Sequence, residues 1–284
     1  MGSDPPPGRA VLITGCSSGI GYHTAVGLRE RGYRVLASAR KAADVTRLEG
    51  EGFEALALDV DDPESIAAAV DQVLERTGGA LYGLFNNAGF GQPGAVEDLS
   101  REVLRRQFET NLFGAHELTA RVLPAMRRQG SGRIIQNSSV LGLVALRYRG
   151  AYNASKFALE GLSDTLRMEL RGSGIHVSLI EPGPITSRFR ENAHRAFREN
   201  IDAQSSPHRD TYAAVERRLA AEGDAAPFTL SPQAVLRKVV HALESPRPRP
   251  RYYVTTPTHA LAFLKRVLPH TWMDAALEAI SRSE

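Results

Sequence analysis

Short apolar runs alternate along the chain with longer stretches whose apolar residues recur every three or four positions. Residues 10–14, 34–39, 54–60, 81–85, 133–138 and 175–180 are apolar and rich in strand-forming residues, and each predicts a strand; 252–255 is a seventh candidate. Residues 19–31, 63–77, 100–128 and 151–171 carry helical spacing instead. Asp62 followed by Pro63 reads as an N-cap with proline at the first helical position. Ser100 is the cap expected for the longest helix, with Glu102 and Val103 in its first turn. Strands this uniformly apolar are buried on both faces, which calls for a parallel sheet sandwiched between helices. Right-handed crossovers then make the fold α/β, a single doubly wound parallel sheet with helices on both faces.

Two segments break the rhythm. Residues 187–230 are rich in Arg, Glu, Asn and His, with a helix candidate at 211–222, and lie between the sixth strand and a helix candidate at 232–243. An insertion after the carboxyl end of a strand is where a helical lid over a substrate would sit. The tail, 258–284, has apolar faces at 259–268 and 272–280 with basic residues between them. Three surfaces suit such a tail: a membrane interface, contacted weakly, the mouth of the pocket, or a partner subunit. Packing on the protein's own body is the first expectation, because the only tryptophan, Trp272, lies there. Residues 1–8 are expected to be disordered, leaving 9–257 as the main domain and 258–284 as a helical extension of it.

Composition narrows the class. The chain has 284 residues, 42% hydrophobic and 24% charged, which excludes whole-chain disorder, a collagen-like repeat or a disulfide scaffold. The length alone leaves one large domain or two ordinary ones open. Cys16 is the only cysteine, so no internal disulfide forms and a reducing, cytoplasmic setting fits. The net charge is +3 and the arginines are scattered, apart from Arg247, Arg249 and Arg251; a solvated surface is expected, not a nucleic-acid interface. Residues 2–8 do not read as a secretory leader, and no run approaches the ~18 apolar residues of a spanning helix.

Three motifs carry candidate chemistry. The first is Thr14-Gly15-Cys16-Ser17-Ser18-Gly19-Ile20-Gly21, between the first strand and the first helix. Glycines there allow a tight turn and close approach of a ligand, and the helix start offers N–H groups to a pyrophosphate. An ordinary glycine-rich turn has the same look. The second is Tyr152-Asn153-Ala154-Ser155-Lys156, which sets a phenol and an ammonium on one helix face. A nearby cation stabilises a phenolate and draws its pKa toward the working range. The third is Ser139, at the end of the fifth strand, whose hydroxyl suits polarising a carbonyl or capping the next turn. His23, His116, His176 and His241 have no ligand-like spacing, so no metal is expected.

In combination these motifs are more specific. The glycine loop, Asn86-Asn87-Ala88-Gly89 after the fourth strand, Asn111, Ser139, Tyr152, Lys156 and Pro182-Gly183 occur in the order found in the short-chain dehydrogenase/reductase family, which the chain resembles over roughly residues 9–245. The string YNASKFALEGLSDTLRMEL and the segment around EPGPI look like the branch holding 17β-hydroxysteroid and retinol dehydrogenases, and closer still to bacterial NADP-dependent aldehyde reductases. The resemblance implies a Rossmann-like fold, a nicotinamide cofactor, a small carbonyl or alcohol substrate, and a homo-oligomer, commonly a homodimer, built through the helices at 100–128 and 151–171. It implies that Tyr152 exchanges the proton, Lys156 lowers its pKa and binds the nicotinamide ribose, Ser139 orients the reacting carbonyl, and Asn111 anchors a water. Gly15, Ser17, Ser18, Gly19, Ile20 and Gly21 would line the pyrophosphate, Asp59 and Val60 the adenine, and Asn87, Ala88 and Gly89 the adenosine and nicotinamide ribose. Pro182, Gly183, Ile185 and Ser187 would border the nicotinamide; Ser187, with Thr186 beside it, stands where relatives often carry a threonine.

The second strand ends Ala37-Ser38-Ala39-Arg40-Lys41, with no acid to bind the ribose hydroxyls and two cations able to pair a 2′-phosphate, which favours NADP(H). Phe90, Leu141, Leu143, Val144, Phe189 and Phe197 are expected near the pocket mouth and suit a lipophilic aldehyde or ketone. The competing expectation is a nucleotide-binding sensor or scaffold that has lost catalysis.

Overall fold

Seven parallel strands pair in the order β3-β2-β1-β4-β5-β6-β7. They are β1 (Ala10–Ile13), β2 (Arg34–Ala39), β3 (Glu54–Ala57), β4 (Gly83–Asn86), β5 (Gly132–Asn137), β6 (Ile175–Glu181) and β7 (Arg251–Tyr253). This computed structural model describes residues 9–221, 223 and 226–283, so the expected disorder of 1–8 and the end of the 211–222 helix lie outside the described residues. β1 is central, with Leu12 in register with Leu36 of β2 and Leu84 of β4. Alternate β1 side chains feed two cores, one on each face of the sheet.

On one face Val11 and Ile13 pack with Leu28 of α1 (Gly19–Glu30) and Val235 and Leu243 of α9 (Gln233–Glu244). On the other, Leu12 and Leu84 meet Ile66 and Val70 of α3 (Pro63–Arg76) and Leu118, Val122 and Met126 of α5 (Gly114–Arg128). Both expected caps form. Asp62 Oδ1 accepts from Glu64 N at 3.0 Å, and Ser100 Oγ accepts from Val103 N at 3.2 Å.

The pattern at 100–128 is not one continuous helix. α4 (Arg101–Phe108) gives way to a π turn at Glu109–Phe113 before α5 resumes. Two further helices went unmarked by periodicity, α2 (Ala42–Gly50) and α7 (Phe189–Asn200). The catalytic-helix candidate is α6 (Gly150–Glu169).

The 187–230 segment folds as α7 and α8 (Arg209–Ala220) around a small core of its own, Phe197, Ile201, Tyr212 and Leu219, closed by Ala95 of the main body. Asp98 latches it, accepting hydrogen bonds from Ser206 Oγ at 2.6 Å and from the Tyr212 hydroxyl. In the tail, α10 (Thr256–Val267) and α11 (His270–Ser283) set Leu261, Leu264, Met273 and Leu277 against Leu141 and Val144. Trp272 takes no part in this packing and is 67% exposed. Among the described residues no helix is long and apolar enough to cross a membrane.

Candidate active site

The strand order reverses direction between β1 and β4, the point at which doubly wound sheets form a ligand crevice at the carboxyl ends of their strands. The segments singled out in the sequence all follow these ends: the loop 14–21 after β1, Arg40 and Lys41 after β2, Asp59 and Val60 after β3, Asn87–Gly89 after β4, Ser139 after β5 and 182–187 after β6.

The glycine loop is shaped by contacts that admit no side chain. Gly15 and Gly19 have φ of +71° and +57°, in the region that favours glycine. A Cβ on Gly21 would stand 2.3 Å from Gly15 O and 2.6 Å from Asn87 Nδ2. Thr14 Oγ1 accepts from the backbone N–H groups of Asn87 and Ala88, both at 2.9 Å, while Asn87 Nδ2 donates to Thr14 O at 2.9 Å. Ser18 is the N-cap of α1 but makes no side-chain cap, and the first turn carries no acid. Free N–H groups at a helix start with no competing carboxylate fit a pyrophosphate. Across the crevice, a Cβ on Gly19 would lie 3.1 Å from Ser187 Cβ, so the loop and the segment after β6 form two close walls. Ile185 is buried, and Ser187 is exposed with its hydroxyl donating to Ile185 O at 3.3 Å. Ile20 packs against the core under α1. Cys16 is fully buried, and burial pushes its thiol up to about 12, so it is an inert packing residue of the loop.

Arg40 and Lys41 are exposed at the β2 end, and Arg40 Nε stands 4.0 Å from Asp59 Oδ2. That separation is loose, and both side chains are open to solvent, so the guanidinium is free to turn toward another anion. Val60 is buried, and Gly114 at the start of α5 comes so near that a Cβ there would lie 2.0 Å from Val60 O.

On the other side of the crevice, α6 places Tyr152 and Lys156 one turn apart. The Ser139 hydroxyl lies near enough to the Tyr152 phenol to favour its ionised form, and Ser139 Oγ accepts from Leu141 N at 3.1 Å. Lys156 Nζ lies 5.6 Å from the centroid of the Tyr152 ring and donates to Asn137 O at 2.7 Å. Asn137 Nδ2 in turn donates to Asn87 Oδ1 at 3.0 Å, so one polar thread runs from the glycine loop to α6. Burial pushes the Tyr152 phenol up to about 12, against the pull of the Ser139 hydroxyl and the Arg149 charge. Burial also lowers the Lys156 ammonium to about 8, with the Glu160 carboxylate opposing. Asn111 sits in the π turn, fully buried. Its Nδ2 donates to Phe90 O at 3.0 Å and Ser155 Oγ at 3.1 Å, and its Oδ1 accepts from Phe90 N at 3.1 Å. Thr14, Asn137 and Ser155 carry this scaffold without having been singled out in the sequence; Thr14 and Ser155 lie inside quoted motifs, and Asn137 adjoins one.

Of the apolar residues expected at the pocket mouth, Phe189 stands against the Tyr152 ring with centroids 5.3 Å apart. Leu141, Leu143 and Val144 join Tyr152 and the tail in one apolar cluster. Phe197 is instead buried inside the 187–230 core, its ring 5.2 Å from that of Tyr212. A carbonyl oxygen placed between the two hydroxyls would meet two donors, with a cation behind the phenol to hold the charge left when its proton departs.

Comparison with known proteins agrees with this geometry. A family model described as short chain dehydrogenase matches residues 9–197. The chain is 49% identical to the uncharacterized oxidoreductase YbbO of Escherichia coli K12, over 95% of this chain and 94% of that protein. It is 36% identical to human retinol dehydrogenase 8, over 91% of this chain and 85% of the relative. The crystal structure of a short chain dehydrogenase/reductase from Burkholderia phymatum in complex with NAD superposes with a TM-score of 0.75 at 26% identity, covering 92% of each chain.

Proposed function

Because the chain belongs to the short-chain dehydrogenase/reductase family, we propose that it is an NADP(H)-dependent carbonyl reductase acting on a lipophilic aldehyde or ketone. The observation that carries the reading is the convergence of the Ser139 hydroxyl, the Tyr152 phenol and the Lys156 ammonium, beside a glycine loop whose helix start has no side-chain cap and no acid. A sensor or scaffold would have no use for that set of three side chains.

When bound, the nicotinamide supplies or accepts the hydride. Ser139 holds the substrate oxygen by a donated hydrogen bond and fixes its distance from the phenol. Tyr152 donates its proton to that oxygen in reduction and takes it back in oxidation. Lys156 stabilises the phenolate and, with Asn137 filling only one of its three donors, retains donors for ribose hydroxyls. Both amide hydrogens of Asn111 are taken, so a water linking Lys156 to solvent would donate to Oδ1. The loop 15–21, Asp59, Val60, Asn87–Gly89 and Pro182–Ser187 would hold the dinucleotide along the crevice. α7 and α8 would act as the lid, with Phe189 and the Leu141–Leu143–Val144 wall excluding water from the phenol.

NADP(H) is favoured by the absence of an acid at the β2 end and by the loosely engaged Arg40. A charge-assisted arginine–phosphate contact contributes about 1.5–3 kcal/mol. Arg40→Ala is therefore expected to lower kcat/KM for NADPH about 10–100-fold, with little change for NADH; equal losses with both cofactors would remove Arg40 from the phosphate site. The reading as a whole is tested by NADPH oxidation across aliphatic, aromatic, retinoid and steroid carbonyls, each repeated with NADH. Turnover of apolar carbonyls with a preference for NADPH is expected. Binding of NADPH without turnover of any carbonyl would favour the sensor.

The homodimer reading is supported by exposed apolar side chains on the helices expected at its interface: Leu104, Phe113, Phe157 and Met168. The outer face of the tail, with Phe263, Val267 and Trp272 exposed beside Arg266, suits weak contact with a membrane surface. A single buried thiol is consistent with a cytoplasmic enzyme.

A further inference from the structure

Four charged side chains outside the proposed reaction meet beneath the catalytic helix. Glu160 lies one turn beyond Lys156 on α6 and Asp164 one turn further; Glu181 ends β6 and Arg251 opens β7. Arg251 donates to Glu160 Oε2 at 2.8 Å and to Asp164 Oδ2 at 2.6 Å, and its Nη1 stands 3.6 Å from Glu181 Oε1. Glu181 is fully buried and Glu160 nearly so. Two further cations border the group: Arg167 contacts Asp164 Oδ1 at 3.1 Å, and Lys265 of α10 feels the Glu160 charge.

The donor count in this cluster falls short. Both carboxylate oxygens of Glu181 and Glu160 Oε1 are buried without a hydrogen-bond donor. An ionised carboxylate only accepts, whereas a protonated one donates. The Glu160 and Glu181 carboxyls meet at one nitrogen, Arg251 Nη1, at 2.8 and 3.6 Å, and two carboxyls so placed hydrogen-bond to each other only with a proton between them. Two buried carboxylates on one guanidinium, itself shared with Asp164, would otherwise leave an uncompensated charge in the interior. Burial accordingly pushes Glu181 up to about 9, and Glu160 in the same direction.

The two glutamates adjoin each part of the site. Glu181 immediately precedes Pro182-Gly183. A Cβ on Gly142, in the turn after Ser139, would lie 2.7 Å from Ser138 Oγ and 3.0 Å from Glu160 Cγ. Glu160 shares a helix face with Lys156, and its charge favours the ammonium there. We propose that Glu160 and Glu181 share one proton, and that this bridged pair, anchored by Arg251, is the positioning unit that holds Ser139, the Pro182-Gly183 segment and the Lys156 ammonium in register. The shared proton rests on the burial and donor count of the cluster; the positioning role rests on the reductase reading.

Isosteric variants test both. An unfolded glutamate titrates at 4.5, so between there and about 9 folding takes up a proton and stability falls as pH rises. Thermal melts of wild type between pH 5 and 9 are expected to show that decline, and Glu181→Gln to flatten it by about one proton per molecule. The infrared difference spectrum, wild type minus Glu181→Gln at pH 7, is expected to contain a protonated carboxylic-acid band. Equal pH slopes, or no such band, overturn the shared proton. For positioning, Glu160→Gln is expected to move the alkaline limb of reductive kcat to lower pH, because it withdraws the charge that favours the Lys156 ammonium. Glu181→Gln leaves Glu160 as the anion and is not expected to lower that limb. Identical pH profiles for wild type and both variants overturn the positioning role. The melts and spectra need no turnover, so failure of the reductase reading would show separately, as an inactive wild type that still carries the band.

Discussion

Replacing Tyr152 by phenylalanine is expected to lower reductive kcat by about 10²–10⁴-fold, the usual contribution of a positioned general acid. The change removes one oxygen. The ring keeps its place between Phe189 and the apolar wall of Leu143 and the tail, so the pocket keeps its shape. What is lost is the proton and the phenol oxygen beside the Ser139 hydroxyl. Because burial holds the phenol protonated up to about 12, the wild-type acid is fully armed at neutral pH, and the deficit should be the same from pH 6 to 8. Oxidation needs the phenolate and should therefore rise with pH in the wild type. Single-turnover measurement with NADPH and the best carbonyl from the screen, together with the dissociation constant for NADPH, checks the claim. Retention of full turnover would remove Tyr152 from the chemistry.

The second large effect concerns Lys156. Lys156→Met should lower kcat about 10²-fold or more, since the phenolate then forms in an apolar site without its cation. The variant should also lack the alkaline limb near pH 8, which in the wild type marks loss of the Lys156 proton and, with it, of reductive activity. Stability moves the other way. Burial depresses the folded value from 10.5 to about 8, so between those limits the unfolded chain binds the extra proton and wild-type stability rises with pH. Below pH 8 the folded wild type carries the whole cost of a buried ammonium, and methionine removes it. The wild-type minus variant difference in melting temperature should thus grow more favourable to the wild type from pH 8 toward 10.5. A difference independent of pH would mean that Lys156 titrates as it does in the unfolded chain.

The strands could be read from the sequence because they rest on local signals, apolar runs and caps, whereas Ser139, Tyr152 and Lys156 stood out only through the order of the motifs and the family resemblance that order carries. The misses have physical causes. α2 buries only Leu48, so Ala42–Gly50 carries no apolar stripe to detect. α7 buries Ala193, Ala196 and Phe197, and two alanines among arginines and glutamates read as a polar loop. Phe197 was expected at the pocket mouth, but its ring found Tyr212, a partner no spacing rule could supply. Glu160, Glu181 and Arg251 look like ordinary surface charges. Only the adjacency of β6 and β7, fixed by the sheet order, brings Arg251 to a glutamate 91 residues earlier.

The π turn at Glu109–Phe113 has a meaning in terms of phase. Counting ~100° per residue, the buried positions of α4, Val103 and Gln107, are offset by most of one residue from the buried stripe of α5, Leu118, Val122 and Met126. An unbroken α-helix would point those two stripes in different directions. The wider turn takes up the slip, so both halves face inward and Asn111, at the point of adjustment, faces inward with them. Deleting one residue there would let an unbroken α-helix seat both stripes at once, and what would be lost is the extra residue that brings Asn111 to its inward position. The irregularity acts as a phase correction written into the chain, with a site residue at its centre.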